Sequence, residues 1–278
     1  MFWRSALAVV CTAACVQAEP TLTLDGVITL PRLSEGFGGL SAIEMSDGGA
    51  EALVLSDRGG LYHLTLDRSG DAVRVINAVR DDRAVHLGDT EGLALDADGT
   101  LYVSMEGQAG IAAEQPDGRL VRQPGHPDFK DLVENRALEA LAIAPDGTLV
   151  TLPEISARNS EPFPIYQLKD GRWTKGPFLP RDGIFLVTGA DFGPDGLFYL
   201  LERSLSLRGF ATRIRRFDLS APDLEETTLL VTEPGTYGNL EGLSLWQDDL
   251  GITHLSLVAD DNFYTFFSNQ IVEFTLTE

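Results

Sequence analysis

Two stretches of the sequence carry a glutamate at or next to each end of a predicted β-hairpin. Residues 91–107 read EGLALDADGTLYVSMEG, and residues 139–154 read EALAIAPDGTLVTLPE. In both, an Asp-Gly pair separates two runs that alternate apolar and polar residues, which is a strong hairpin signal. Carboxylate oxygens are the ligands that hard divalent cations such as calcium prefer. Acids at fixed places in a repeated hairpin therefore indicate a site that could hold a cation.

The hairpin recurs along the chain at intervals of about 50 residues. The clearest turns are Asp98-Gly99, Asp146-Gly147 and Asp195-Gly196. Two less regular copies lie at 38–57 and 241–260. Two further strand-like runs lie between successive hairpins, so each complete repeat predicts four strands. Four strands at this period are typical of a β-propeller blade.

We therefore predict an all-β protein in which residues 19–278 form a single β-propeller domain of five four-stranded blades. A sixth blade would fit only if a linker hides an irregular one. The last repeat lacks its fourth strand, and the N-terminal run at 21–30 is left over. Pairing of that run with the run at 269–277 would complete the last blade and close the ring, because closure removes exposed sheet edges.

The predicted propeller would bring the repeated acids together. The first strand of each blade lines the central channel and the second returns antiparallel, so the start of one and the end of the other share a face. The first position carries Glu91, Glu139 and Glu241, with Gly38 and Thr188 in the other two blades. The second carries Asp57, Glu106, Glu154, Glu202 and Asp260, with Asp261 next to it. We expect these nine acids at one mouth of the channel.

Carboxylates crowded in this way repel one another, so they need protons, arginine partners or a bound cation. Arg58, Arg136 and Arg203 each lie within three residues of one of these acids and could pair with it. Backbone N–H groups in turns are another partner for any single acid. For the set as a whole, the sequence predicts a divalent cation, with calcium as the leading candidate and the nine acids as its candidate ligands.

The composition narrows the function classes. The chain has 42 acidic and 21 basic residues and a formal net charge of −21, which disfavours nucleic acid as a partner because phosphate binding needs Lys and Arg. No HxH or HExxH pattern indicates zinc. No GxSxG motif, Walker loop or dinucleotide fingerprint occurs. His86, just before an acid of the second repeat, is the one histidine that we keep as a candidate.

The first 18 residues read as a secretory leader. Arg4 precedes an apolar run at 6–14, and Val16-Gln17-Ala18 is a typical cleavage site. We expect export to the periplasm or the extracellular space, no transmembrane segment, and a monomer. Both cysteines, Cys11 and Cys15, lie in the leader, so the mature chain would have none. Lipidation of Cys15 is the alternative, and it would anchor the protein to a membrane.

Several motifs in order along the chain resemble one family of secreted bacterial proteins. They are GGLSAI, SDRG, TEGLALDADGTLYVSMEG, NRALEALAIAPDG, LLERS, NLEGLSL and ADDNF. From Gly38 to the C-terminus the chain resembles the family called esterase-like activity of phytase. The resemblance implies a β-propeller and phosphoesterase activity. It marks Asp57, Arg58, Glu91, Glu106, Glu139, Glu202, Arg203, Glu241, Asp260, Asp261 and Asn262. Ala137 and Ala140 depart from the residues that the family usually shows.

Together these observations predict a secreted, calcium-assisted phosphoesterase that acts on a small anionic or ester substrate at the acidic channel mouth. Glu91, Glu139 and Glu241 are the candidate catalytic acids, and Arg58 and Arg203, or Arg136, would grip the phosphate. A lactonase or other carboxylic-ester hydrolase on a calcium propeller is a second interpretation. A non-catalytic periplasmic binding or scaffold protein is a third, so the sequence leaves open whether the chain is an enzyme.

Overall fold

A computed structural model describes residues 19–31, 36–133, 136–156, 158, 160–263 and 268–278. The predicted leader at 1–18 lies outside these ranges, so its cleavage stays a prediction. Within them, twenty strands form five antiparallel sheets of four, which confirms the all-β propeller of five blades. No helix in the described ranges is long and apolar enough to cross a membrane.

The strands fall into five consecutive blades, each counted from the channel outwards. Blade 1 is β2 (Leu40–Ser46), β3 (Glu51–Ser56), β4 (Leu61–Asp67) and β5 (Arg74–Asp81). Blade 2 is β6 (Thr90–Leu95), β7 (Leu101–Met105), β8 (Gly110–Glu114) and β9 (Leu120–Arg122). Blade 3 is β10 (Leu138–Ile143), β11 (Leu149–Pro153), β12 (Phe163–Lys169) and β13 (Arg172–Leu179). Blade 4 is β14 (Leu186–Phe192), β15 (Phe198–Ser206), β16 (Gly209–Asp218) and β17 (Glu225–Val231). Blade 5 is β18 (Asn239–Gln247), β19 (Thr253–Asp260), β20 (Gln270–Thr277) and β1 (Thr21–Thr29). Short 3-10 helices span Asp47–Gly49, Val85–Leu87 and Pro127–Asp131.

The two ends of the described chain close the ring as the sequence predicts. Strand β1 pairs antiparallel with β20, from Thr21 opposite Thr277 to Thr29 opposite Gln270. The N-terminal strand is thus the outermost strand of blade 5. The five innermost strands contact their neighbours around the circle, and β18 of blade 5 meets β2 of blade 1. Closure leaves no blade with an incomplete sheet.

The hydrophobic core lies between neighbouring blades rather than at the centre. One cluster joins Val54 of blade 1 to Trp246 of blade 5, and another joins Leu152 of blade 3 to Phe198 of blade 4. Each sheet buries one of its two faces against each adjacent blade, so every blade is packed from both sides. The polar residues at the strand ends are therefore held by a rigid frame.

The centre of the ring is almost filled. Each innermost strand carries a small residue near its start, namely Ala42, Gly92, Ala140, Gly189 and Gly242. A Cβ at Gly189 would lie 2.4 Å from the carbonyl oxygen of Glu241, and one at Gly242 would lie 2.7 Å from Cα of Ala42. Neighbouring strands approach this closely only because these positions are small. The cavity that remains between them is about 10 Å³.

Candidate functional site

A β-bulge occurs at the same place in every innermost strand. In four blades the pairing with the second strand skips one residue, namely Ser41, Glu139, Thr188 or Glu241, and in blade 2 it skips Glu91 and Gly92, which stand against Ser104. A bulge leaves the extra residue unpaired and re-aims its side chain. The five bulges therefore direct one residue per blade to the same mouth of the channel. Three of these residues are glutamates.

The bulge register corrects the sequence analysis in blade 1. Ser41 occupies the position that hairpin counting gave to Gly38. The signal was present in the spacing, because Ser41 precedes Gly49 by eight residues, as Glu91 precedes Gly99. Ser41 does not contribute a charge, and its Oγ donates to the carbonyl oxygen of Thr90 in blade 2 at 2.9 Å.

The ends of the second strands supply a second ring of side chains. Backbone N–H groups of Asp57, Glu106 and Glu154 donate to the carbonyl oxygens of Gly39, Asp89 and Ala137 across the first strand pair. In blade 5 the equivalent residue is Asp260, opposite Asn239, and in blade 4 it is Arg203, opposite Leu186. Four blades thus present an acid at this position, and blade 4 presents an arginine.

Glu202 therefore does not occupy the position predicted for it. It follows the turn glycine Gly196 by six residues, whereas Glu106 and Glu154 follow theirs by seven. Because side chains alternate along a strand, a shift of one residue turns the side chain to the other face. Arg203 is the residue with the matching spacing, and it faces the mouth in the place where an acid was expected.

The carboxylate of Glu202 is fully buried against two arginines of β16. Arg213 donates to it through Nε at 2.7 Å and Nη2 at 2.9 Å. Arg215 donates through Nε and Nη2, both at 2.7 Å. Each carboxylate oxygen thus accepts from both guanidinium groups. These hydrogen bonds link β15 to β16 within blade 4. Glu202 does not join the acids at the mouth.

The other eight predicted acids do converge on one mouth. Electrostatic contacts link Glu91 to Glu106, Glu241 and Asp57, and further contacts link in Glu139, Glu154, Asp260 and Asp261. Asp89 also belongs to this group, although the sequence analysis missed it. Asp89 lies in the loop before β6 with φ of 43°, a left-handed conformation that is uncommon outside glycine. Its place two residues before Glu91 was the only signal.

Burial and crowding favour protons on these acids. Burial, reinforced by the charge of Asp89, raises the pKa of Glu106 to about 7. Burial, reinforced by Glu241, likewise raises the pKa of Asp260 to about 7. The pKa values of Glu91 and Glu139 are raised well above the usual range, first by burial and then by neighbouring carboxylates. A cation that takes the place of the protons stabilises such a group, because it offsets the repulsion between the carboxylates.

Arg203 offsets the charge on only one side of the mouth. Its guanidinium donates to Glu241, to Asn239 Oδ1 at 2.6 Å and to Glu154 Oε1 at 3.3 Å. On the blade 2 side, the described residues place no arginine or lysine in a salt bridge with Asp89, Glu91, Glu106 or Glu139. Excess negative charge is therefore concentrated around Glu106.

Two groups of acids have the geometry of a metal site. One ligand oxygen each from Asp89, Glu91 and Glu106 lie within 4.8 Å of one another, and so do oxygens from Glu106, Glu139 and Glu154. Glu106 belongs to both groups. All donors are carboxylate oxygens, which suits calcium or magnesium better than zinc or copper. A Cβ at Gly107 would lie 2.5 Å from Asp89 Oδ2, so this glycine makes room for that carboxylate.

The remaining candidates lie at the rim. Arg58 is exposed, with its guanidinium carbon 3.5 Å from the ring centroid of Phe263. Phe263 and Asn262 have φ of 54° and 48°, and such strained backbone is often found at functional sites. Arg136 is half exposed, with Nε 3.8 Å from Glu154. His86 lies outside the acid group, with Nε2 3.0 Å from the carbonyl oxygen of Leu120.

Comparison with known proteins assigns the chain to a family. The phytase-like profile, described as esterase-like activity of phytase, matches residues 35–263. The chain belongs to this phytase-like family. The match confirms the resemblance that the motifs indicated, and it spans the acids of the mouth. No curated protein matches the chain by sequence.

The solved structures that resemble the chain are distant in sequence. An α-L-arabinofuranosidase of Podospora anserina, solved with cellotriose, is 10% identical with a TM-score of 0.50 over 93% of this chain and 97% of that chain. Virginiamycin B lyase of Staphylococcus aureus is 13% identical with a TM-score of 0.43 over 94% and 100%. For this phytase-like chain, similarity at such low identity concerns the fold alone.

Proposed function

We propose that this phytase-like protein is an exported hydrolase of phosphate esters that depends on a divalent cation, with calcium as the favoured ion. The observation that carries the proposal is the group of Asp89, Glu91 and Glu106, three carboxylates close enough to share one ion and without an arginine partner among the described residues. Family membership supports a hydrolase of the esterase or phytase kind.

The charge of the mouth makes the cation necessary to the proposal. Without it, a ring of carboxylates repels a phosphate ester. Asp89, Glu91 and Glu106 would hold the ion, and Glu139 and Glu154 would form a second group that shares Glu106. When bound, a divalent cation supplies charge neutralisation at the phosphate oxygens and makes water a stronger nucleophile.

The reaction would add water to phosphorus and break the ester P–O bond. The leaving oxygen takes up the proton that water gives up, so the products are phosphate and an alcohol. Glu139 and Glu241 are the acids beside the ion-binding group that could accept and return this proton, because burial raises the pKa of both. Arg203 is bonded to Glu241 and Glu154, so its role is to position them.

The arginines that remain available to bind the substrate lie at the rim of the mouth. Arg58 is exposed and fixed over Phe263, and Arg136 has half of its side chain exposed, at 51%. Arginine binds phosphate oxygens through two parallel N–H groups. We therefore assign the grip on the phosphate to Arg58 and Arg136 in preference to Arg203.

A substrate panel tests the proposal. The purified protein is assayed with p-nitrophenyl phosphate, phytate and a lactone, in calcium and in excess chelator. We expect phosphate release that calcium restores and that Glu106→Gln lowers at least tenfold. Glu225→Gln, an exposed acid on β17 far from the mouth, is the matched control and should keep full activity.

The same panel contains the outcomes that would overturn the proposal. Acid release from the lactone without phosphate release would make the protein a lactonase. Thermal stabilisation by calcium without turnover of any ester would point to a binding or scaffold role. Phosphate release that chelator leaves unchanged would remove the cation from the mechanism.

A further inference from the structure

A cavity of about 930 Å³ runs along blade 2, beside the proposed ion-binding group. One end is formed by Asp89 and Gly107, the neighbours of Glu91 and Glu106. The other end is formed by β9 and the turn before it, from Asp117 to Arg122. Its volume suits an organic molecule of several rings or a sugar-sized group with substituents. The cavity therefore connects the proposed reaction centre with the outer edge of the blade.

The wall of the cavity combines apolar and cationic groups. Leu87, Leu120 and Val121 supply apolar surface. Three arginines also line it, and two of them are already neutralised. Arg119 Nε lies 2.8 Å from Asp117, and Arg83 pairs with Asp81 and Glu114. The third is Arg122.

Arg122 is held in place by neutral acceptors. Its Nη1 donates to Gln108 Oε1 at 2.9 Å, its Nη2 donates to the carbonyl oxygen of Gln108, and its Nε lies 3.4 Å from Met105 Sδ. No carboxylate of the described chain forms a salt bridge with it. A guanidinium has five N–H groups, so one on each Nη stays available. A guanidinium with unused N–H groups and no carboxylate partner attracts an anion such as a carboxylate.

We propose that this cavity binds the leaving group of the substrate and that Arg122 binds a carboxylate on it. The inference rests on the proposed function, because the reacting phosphate would lie at the mouth end of the cavity, beside Asp89 and Gly107. It adds a substrate class, namely phosphate monoesters whose organic part has an apolar body and a second negative charge. Gln108 fixes the position of the guanidinium, and the apolar wall packs against the body of the leaving group.

Two matched substrates test the inference during turnover. Phenyl phosphate and 4-carboxyphenyl phosphate differ only in the carboxylate. We expect the protein in calcium to favour the carboxylated ester at least tenfold in kcat/KM, and Arg122→Gln to lose most of that preference. Arg122→Lys, which keeps the charge but not the paired N–H groups, should retain part of it. Arg119→Gln, a lining arginine already paired with Asp117, is the control and should keep the preference.

A binding measurement separates this inference from the proposed function. Isothermal titration with 4-hydroxybenzoate, the leaving group itself, needs no hydrolysis. We expect binding that weakens at least tenfold in Arg122→Gln and is unchanged in Arg119→Gln, with unchanged melting temperatures as the check on folding. Binding of this kind without phosphate release would support the cavity and overturn the phosphoesterase. Phosphate release with neither preference nor binding would overturn the cavity alone.

Discussion

Blades 2 and 4 each bury a glutamate on or directly after the second strand, with opposite consequences. Glu106 of blade 2 faces the channel mouth, lies among other acids and has a pKa raised to about 7, chiefly by burial. Glu202 of blade 4 lies one residue earlier in its repeat than Glu106 does. It faces β16, where Arg213 and Arg215 surround it. The third strand of blade 2 has Gly110 and Ala112 at the positions where β16 has Arg213 and Arg215. An acid in a repeat is thus structural or available for a ligand according to the face it occupies.

The largest expected effect comes from breaking the structural member of this pair. Glu202→Gln leaves two buried guanidinium groups without their carboxylate, and removal of one partner from a buried ion pair costs about 3–5 kcal/mol. Unfolding with guanidinium chloride as denaturant, in the presence of chelator, measures the change in the free energy of unfolding. Glu106→Gln should lose less than 1 kcal/mol or gain stability, because repulsion among the acids falls. Equal losses in the two variants would contradict the distinction between the blades.

The next effect concerns stabilisation by calcium, which tests whether Glu106 binds an ion. An ion that binds only the folded protein stabilises it by about 2.7 kcal/mol at a hundredfold excess over its dissociation constant. We expect calcium to stabilise the parent protein in this way, and Glu91→Gln and Glu106→Gln to lose most of the response. Calorimetry with and without calcium provides the measurement, with Glu225→Gln as control. A full calcium response in Glu106→Gln would remove that residue from the ion-binding group.

A smaller effect concerns pH in the absence of divalent ions. The folded pKa of Glu106 is raised to about 7 from an ordinary value of 4.5, so the folded state holds a proton that the unfolded state releases. The stability from this proton is complete below 4.5 and is lost as pH rises through 7. Unfolding in chelator between pH 5 and 8 should show falling stability. Glu106→Gln should flatten this slope, and an unchanged slope would place the titration elsewhere.

The smallest effect concerns Arg58, which also adjoins an acid but stacks on a ring instead of forming a salt bridge. A cation–π contact at an exposed site contributes about 0.5–1 kcal/mol. Arg58→Met should lose that amount in thermal unfolding. The exposed Arg172→Met, on the outermost strand of blade 3, is the matched control and should lose nothing measurable. A loss of several kcal/mol would mean that Arg58 does structural work like that of Arg215.

Much of the fold could be predicted from the sequence, because hairpin signals and their period are local. Five blades, the pairing of β1 with β20 and the convergence of eight acids followed from counting turns. The exchange of Glu202 for Arg203 was missed because alternation alone does not identify which face is inward. Ser41 was missed because the less regular copy at 38–57 was counted from Gly38, although the eight-residue spacing to the turn glycine Gly49 marks Ser41. Asp89 lies in the loop before β6, and the equivalent residues of blades 1 and 3 are Gly39 and Ala137, so no repeated acid marks this position.

The small residues at the starts of the innermost strands affect the paths by which substrate enters and product leaves. They let the strands approach until the central space is only about 10 Å³, roughly the room that one water molecule needs. Between the innermost strands, as far as the chain is described, this space has no room for anything larger than a water molecule. Inorganic phosphate released at the mouth would therefore leave on the acid-bearing side, by the mouth or along the blade 2 cavity, where ester also enters. We therefore expect inorganic phosphate to compete with incoming ester, so that turnover slows as product accumulates.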